Sequence, residues 1–208
     1  MQDFYKLFWL FMIGAFLGDI TETIYCRITS GIWMSRSSVV WGPFSIVWGL
    51  GLVIAAIVLY PFRRKSNWKI FLVGVIFGGL FEYLCSLFTE QVFGKVFWDY
   101  SDIPFNINGR VNLLYCVFWG VAAVIWTSDL LPYITILINK IPFIIGKTFN
   151  RLILIFMSIN ILVSGMALVR SNERTKGVEA TFLWQKIMDK RFHDMRLAKI
   201  YPNMIHLG

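Results

Sequence analysis

Residues 68–88 read WKIFLVGVIFGGLFEYLCSLF, from Trp68 to Phe88. Lys69 lies at the edge of this stretch and Glu82 well inside it; every other residue is uncharged. A bilayer hydrocarbon core of about 30 Å takes about 20 mostly apolar residues in a helix, so the stretch reads as a membrane span. Four further segments meet the same criterion: Phe4 to Cys26, Val39 to Tyr60, Val111 to Leu131 and Leu152 to Val169. The expected fold class is therefore all-α, a polytopic helical membrane protein with about five transmembrane helices.

Composition points the same way. Of 208 residues, 57% are hydrophobic and 15% charged, and the mean hydropathy is +0.64. A soluble domain carries roughly 25% charged residues. This chain has more apolar surface than one water-soluble core of its length can hide, which excludes a soluble enzyme and a disordered or collagen-like chain. The formal charge of +8 suits residues that flank membrane segments and meet anionic headgroups, and gives no reason to expect nucleic acid. Cys26, Cys85 and Cys116 lie in or beside apolar runs, odd in number and without metal-ligand or disulfide spacing, and read as packing residues. Asp19, Thr21, Glu22 and Arg27 follow the first apolar run where a signal peptide would need small residues, so that run reads as a retained span.

Past Arg170 the chain turns polar. Trp184, Met188, Phe192 and Met195 recur at helical spacing among Lys186, Lys190, Arg191 and Arg196. This predicts an amphipathic helix that lies on the membrane or docks on a partner. The expected organisation is a transmembrane domain over 1–169 and a polar, amphipathic tail over 170–208. The Arg63-Arg64-Lys65 loop argues for a cytoplasmic position there. Five spans then put the basic tail outside, against its own charge: either the tail is translocated regardless, or the stretch from Leu131 to Lys147, with Pro132 and Pro142, is an interfacial or re-entrant piece that restores parity.

The quoted span also repeats an earlier one. Gly14, Gly18 and Glu22 in the first segment match Gly74, Gly78 and Glu82 in the third, both G-x-x-x-G-x-x-x-E, 60 positions apart. Trp48-Gly49 and Trp119-Gly120 match at an offset of 71. The difference of 11 places an insertion between spans three and four. The chain thus reads as two parallel two-helix repeats, about 4–60 and 68–131, plus an extra helix at about 152–169. Each repeat has an even number of spans, so the two share orientation about an axis along the membrane normal.

A spacing of four puts both glycines and the glutamate of each repeat on one helical stripe. The glycines suit close helix packing. The glutamates must then face protein or water, because a charge facing lipid costs at least about 2.5 kcal/mol. Glu22 and Glu82 are expected to point inward, across the pseudo-axis. A plainer reading makes each a structural hydrogen-bond partner, or an interfacial residue paired with Arg27 or Arg110. Asp19 matches Gly79, which weakens a symmetric role for it.

The insertion falls in the loop Phe97-Trp98-Asp99-Tyr100-Ser101-Asp102-Ile103-Pro104-Phe105-Asn106-Ile107-Asn108-Gly109-Arg110. Its Asp and Ser side chains can bond nearby backbone amides, and Asn108-Gly109 can supply a left-handed turn. Arg110 is a candidate partner for Glu82, Glu22 or Asp99. Two readings stand: an interfacial cap with Trp98, Tyr100 and Phe105 in an aromatic belt, or a loop that folds over a cavity between the repeats. The polar cavity would then be lined by Glu22, Glu82, Arg110, Asn106 and Asn108.

Trp98 to Asp102, Pro104 to Arg110 and then Leu113-Leu114-Tyr115 resemble the signature of the Putative ABC-transporter type IV family, also called CmpB-like membrane proteins. The glutamate-bearing third span, Gly42-Pro43 before the second, and Lys199-Ile200-Tyr201-Pro202-Asn203-Met204 are similar too. The resemblance implies a permease-like membrane component and carries no catalytic residue set. An ABC transporter needs an ATPase. Gly146-Lys147-Thr148 imitates the end of a phosphate loop, but Ile141 stands where G-x-x-x-x-G-K-[ST] needs glycine. The expected partners are the lipid bilayer, a separate ATPase subunit and further copies of the chain.

Catalysis finds little support. His193 and His206 lie in the tail, there is no H-E-x-x-H, and no zinc-ligand spacing occurs. Neither enzyme activity, cofactor nor metal is expected. What remains is a multi-pass protein of the cell membrane that translocates a small solute or ion with glutamates at the repeat interface. The alternative is a non-transporting scaffold that assembles partners through its glycine-rich faces.

Overall fold

A computed structural model describes residues 4–206. Among these residues five main helices follow in order: α1 (Phe4–Ser30), α2 (Ile46–Val58), α3 (Asn67–Phe93), α4 (Leu113–Asn139) and α5 (Phe143–Thr175). Two short ones come after them, α6 (Leu183–Arg191) and α7 (Asp194–Ile200). Two strand pairs sit at one end of the bundle. β1 (Lys95–Val96) runs antiparallel to β4 (Ile205–His206), and β2 (Asn106–Ile107) to β3 (Val111–Asn112).

Four of these helices, α1, α3, α4 and α5, are long and apolar enough to cross a bilayer. The second expected span differs. Its helix covers only Ile46–Val58, about 20 Å at 1.5 Å per residue. Gly42 takes φ +80°, and Pro43 disfavours helical backbone at the residue before it. Residues 39–45 therefore approach α2 as irregular chain. Such backbone is tolerated at membrane depth only where protein satisfies it. Here α5 does so: Val40 donates its N–H to Ser164 Oγ (2.9 Å), and Asn160 exchanges hydrogen bonds with both the N–H and C=O of Trp41.

The stretch from Leu131 to Lys147 is not a separate re-entrant piece. Residues 131–139 prolong α4 through a wide turn at Trp126–Leu130, in which Leu131 N–H bonds the Trp126 carbonyl. Pro132 explains the widening, since it offers no N–H to Ser128 and its ring crowds that carbonyl. After Pro142, α5 runs 33 residues, about 50 Å, starting earlier and ending later than the expected 152–169.

Both hairpins close by the same type of approach. A Cβ on Gly18 would overlap Trp48, and one on Gly14 would meet Leu52; on α3, Gly78 lies against Trp119 and Gly74 against Ala123. In return Gly49 receives Phe11, and Gly120 receives Phe71. A shared core of Leu10, Ala56, Leu59, Ile70, Ala123, Trp126, Ile134 and Ile138 joins the hairpins.

The tail docks on the chain itself. Met188, Phe192, Leu197 and Tyr201 bury against Val40, Ala167 and Leu168. The single amphipathic helix expected there is broken after Arg191, which leaves Met195 on α7, 75% exposed. Charges complete the docking: Arg170 and Arg174 at the end of α5 both bind Asp189, and Arg174 also binds Asp194.

A carboxylate site where the hairpins meet

Glu22 and Glu82 each sit one turn beyond a helix-packing glycine pair, so the tryptophan that covers the nearer glycine also reaches the carboxylate. Trp48 Nε1 donates to Glu22 Oε2 at 3.1 Å, and Trp119 Nε1 to Glu82 Oε2 at 3.2 Å. The second oxygen of each is held from the following loop. Arg36 donates two N–H bonds to Glu22 Oε1, at 2.8 and 3.3 Å. The Tyr100 hydroxyl donates to Glu82 Oε1 at 2.7 Å.

The two assemblies touch. The Trp48 and Trp119 rings lie 5.4 Å apart, tilted by 42°. Glu22 is within electrostatic reach of Glu82, and Arg36 within reach of Tyr100. Glu82 is buried and Glu22 half-buried. Tyr115 stacks on Tyr100 at 4.8 Å. Burial opposes the charge on Arg36, but Glu22 overcomes it and holds the guanidinium more firmly protonated than usual. Burial, then the Glu82 charge, pushes the Tyr100 phenol above its usual range, so it acts as a donor. Asp19, one turn before Glu22, is buried with Oδ1 lacking a hydrogen-bond partner.

The loop over 97–110 delivers Tyr100 by turn chemistry. Asp99 Oδ1 accepts from the Ser101 hydroxyl (2.6 Å) and N–H (2.9 Å), which holds the Asp99 carboxyl below the usual range. Asn108 and Gly109 take the left-handed backbone their types favour (φ 53° and 66°), and Phe105, unexpectedly, takes φ 60°. Asn106 Nδ2 bonds the carbonyls of Ser101 and Ile103, and Asn108 Nδ2 bonds the Tyr83 hydroxyl. Trp98 Nε1 bonds the Arg110 carbonyl, while Asp102, Pro104 and Phe105 are exposed. The Arg110 side chain does not pair with Glu82, Glu22 or Asp99; it pairs with Glu90, one helix end away, and lies 5.7 Å from the Tyr83 ring centre. Neither Arg27 nor Arg110 is the cation at Glu22.

That cation is Arg36, which sequence reasoning missed although it is the only charged residue between Gly31 and Ser45. The indole donors were visible only as a repeated Trp-Gly pair, with no sign of what they reach. Among the described residues no group of three or more His, Cys, Asp and Glu side chains could hold a metal, and all three cysteines are free.

No curated protein and no solved structure matches the chain. A family model does match, over residues 9–165, and its description is Putative ABC-transporter type IV. The matched range takes in α1 from Trp9 onward, α2 to α4, both glutamates, Arg36, both tryptophans, Tyr100 and most of α5; the similar-looking tail over 199–204 lies beyond it. With helices apolar enough to cross a bilayer and a match over most of its length, this membrane protein belongs to the Putative ABC-transporter type IV family.

Proposed function

We propose that this chain is a permease-like subunit of the cell membrane, built from two parallel hairpin repeats, that passes a small solute or ion through the carboxylate site between them. The observation that carries this reading is the meeting of Trp48 with Trp119, which links two glutamates that each hold an indole donor and a loop donor. Intramembrane carboxylates are rare, face the protein interior and mark ion and substrate pathways and proton relays. Arg36 and Tyr100 sit on the segments that lead into α2 and α4, so movement of either segment would uncover a carboxylate to solvent. In this reading the 97–110 loop and the 31–45 segment are the gates.

An energy source would come from a separate ATPase subunit, since the sequence has no complete phosphate-binding loop. Assembly with further copies of the chain is part of the same proposal. The scaffold alternative relies on free glycine faces, whereas Gly14, Gly18, Gly74 and Gly78 are covered by the chain's own Leu52, Trp48, Ala123 and Trp119.

Purified protein in liposomes, loaded with a dye sensitive to protons, sodium or potassium and given the matching gradient, tests the reading. The wild type should conduct at least one of these, and Glu22→Gln and Glu82→Gln should each reduce flux by roughly tenfold or more (~1.4 kcal/mol per tenfold) with elution and helix content unchanged. Flux that survives both substitutions, or substitutions that abolish assembly instead, would favour a packing role.

A further inference from the structure

We propose that Asp19 is a proton-binding site, distinct from the two glutamates, whose occupancy decides which carboxylate Arg36 holds. Asp19 is 4% exposed and its Oδ1 has no hydrogen-bond partner. A buried carboxylate oxygen without a partner leaves its desolvation penalty uncompensated, and binding a proton removes the charge. Glu22 and Glu82, by contrast, each accept hydrogen bonds at both oxygens from protein donors.

The charged groups facing Asp19 are few. They are Glu22 on its own helix and Arg36 on the 31–45 segment. α2, packed on the same face, carries no ionisable side chain. The 31–45 segment also places Ser45 one turn below Asp19, where its N–H bonds the Ala15 carbonyl at 2.9 Å. Sixty positions on, α3 has Gly79, where a Cβ would meet Cys116 Sγ at 2.6 Å, so the second hairpin has no room for a matching carboxyl and the site belongs to the first hairpin alone.

With its proton, Asp19 is neutral and Arg36 stays on Glu22, the arrangement seen here. Loss of that proton to water leaves two carboxylates three positions apart on one helix face, competing for one guanidinium. Arg36 then shifts toward Asp19 and draws the 31–45 segment with it. Proton binding is thereby coupled to the segment that covers the site. This coupling needs a membrane-buried carboxyl and no net transport, so it can fail or succeed independently of the permease reading.

Infrared spectroscopy of the full chain in lipid tests it, by following the C=O stretch of a protonated carboxylic acid at neutral pH, where solvent-facing carboxyls are ionised. The expected result is a band that moves when the protein is made with carbonyl-labelled [13C]aspartate, disappears in Asp19→Asn, and persists in Glu22→Gln. A wild-type spectrum without the band, a band unmoved by labelled aspartate, or one that survives Asp19→Asn would overturn the proposal. The chain has seven aspartates, of which Asp129 also lies on a long apolar helix. A labelled band that persists in Asp129→Asn therefore belongs to Asp19 even if Asp19→Asn does not fold, and a band lost in Asp129→Asn would overturn the proposal.

Discussion

Each glutamate at the hairpin junction is a carboxyl group held inside a membrane protein by two specific donors, and the donors differ. Glu22 has a cation, Arg36, whereas Glu82 has a neutral phenol, Tyr100. A hydrogen bond contributes about 0.5–3 kcal/mol, most when one partner is charged, so Tyr100→Phe should lower stability within that range. Thermal unfolding in detergent, with Glu82→Gln/Tyr100→Phe as the double mutant, checks it. The effect of Tyr100→Phe should shrink when Glu82 is already glutamine. Gly78→Ala would force the Trp119 side chain away, an overpacking cost of about 1–3 kcal/mol, read in the same assay. The glycine stripe and the inward glutamate were legible in sequence because helical period fixes which residues share a face. Arg36 and Tyr100 were not legible as partners. A loop residue's target depends on backbone turns such as those at Asp99, Gly42 and Phe105, which no periodicity encodes.

At the scale of elements, the irregular stretch before α2 depends on two polar side chains of α5. Asn160→Leu leaves the Trp41 N–H and C=O without their partner, and a buried group so orphaned costs about 1–3 kcal/mol. Hydrogen exchange at Val40 and Trp41 should accelerate in Asn160→Leu and in Ser164→Ala, while exchange in α3 stays unchanged; uniform acceleration would instead mean global loosening. Four long helices could be read from apolar length alone. The shortness of α2 could not, because residues 39–45 are apolar enough to pass as helix, and only Gly42-Pro43 betrays the break. The continuation of α4 past Leu131 was missed for the opposite reason. Pro132 reads as an ending, yet a widened turn absorbs it.

Across the whole molecule, the tail is fastened by charge as well as by its apolar cluster. Arg170, with Arg174, holds the Asp189 carboxyl below its usual range. The folded value lies under the unfolded one, so this contribution is complete above about pH 4 and is lost as pH falls through the depressed value. Tail docking, followed by the fluorescence of Trp41 and Trp184, should therefore hold at pH 5 and give way only in stronger acid. Asp189→Asn should weaken docking at neutral pH and remove that acid step. The short Arg63-Arg64-Lys65 loop and Lys140 lie at the helix ends opposite the tail, and weighting short loops predicts that side to be cytoplasmic, against the basic charge of the tail itself. A membrane-impermeant thiol reagent on intact cells should then label a cysteine introduced at position 102 or 180 and spare one at position 65. The junction itself, with Glu22 of one hairpin brought to Glu82 of the other, is open to a direct cross-linking measurement. Cysteines are placed at 22 and 82 in a chain with Cys26, Cys85 and Cys116 replaced. A short bifunctional thiol reagent followed by proteolysis at the Arg63-Arg64-Lys65 loop should leave the two fragments joined. Fragments that separate although each thiol has reacted singly would mean that the two hairpins do not meet at their glutamates.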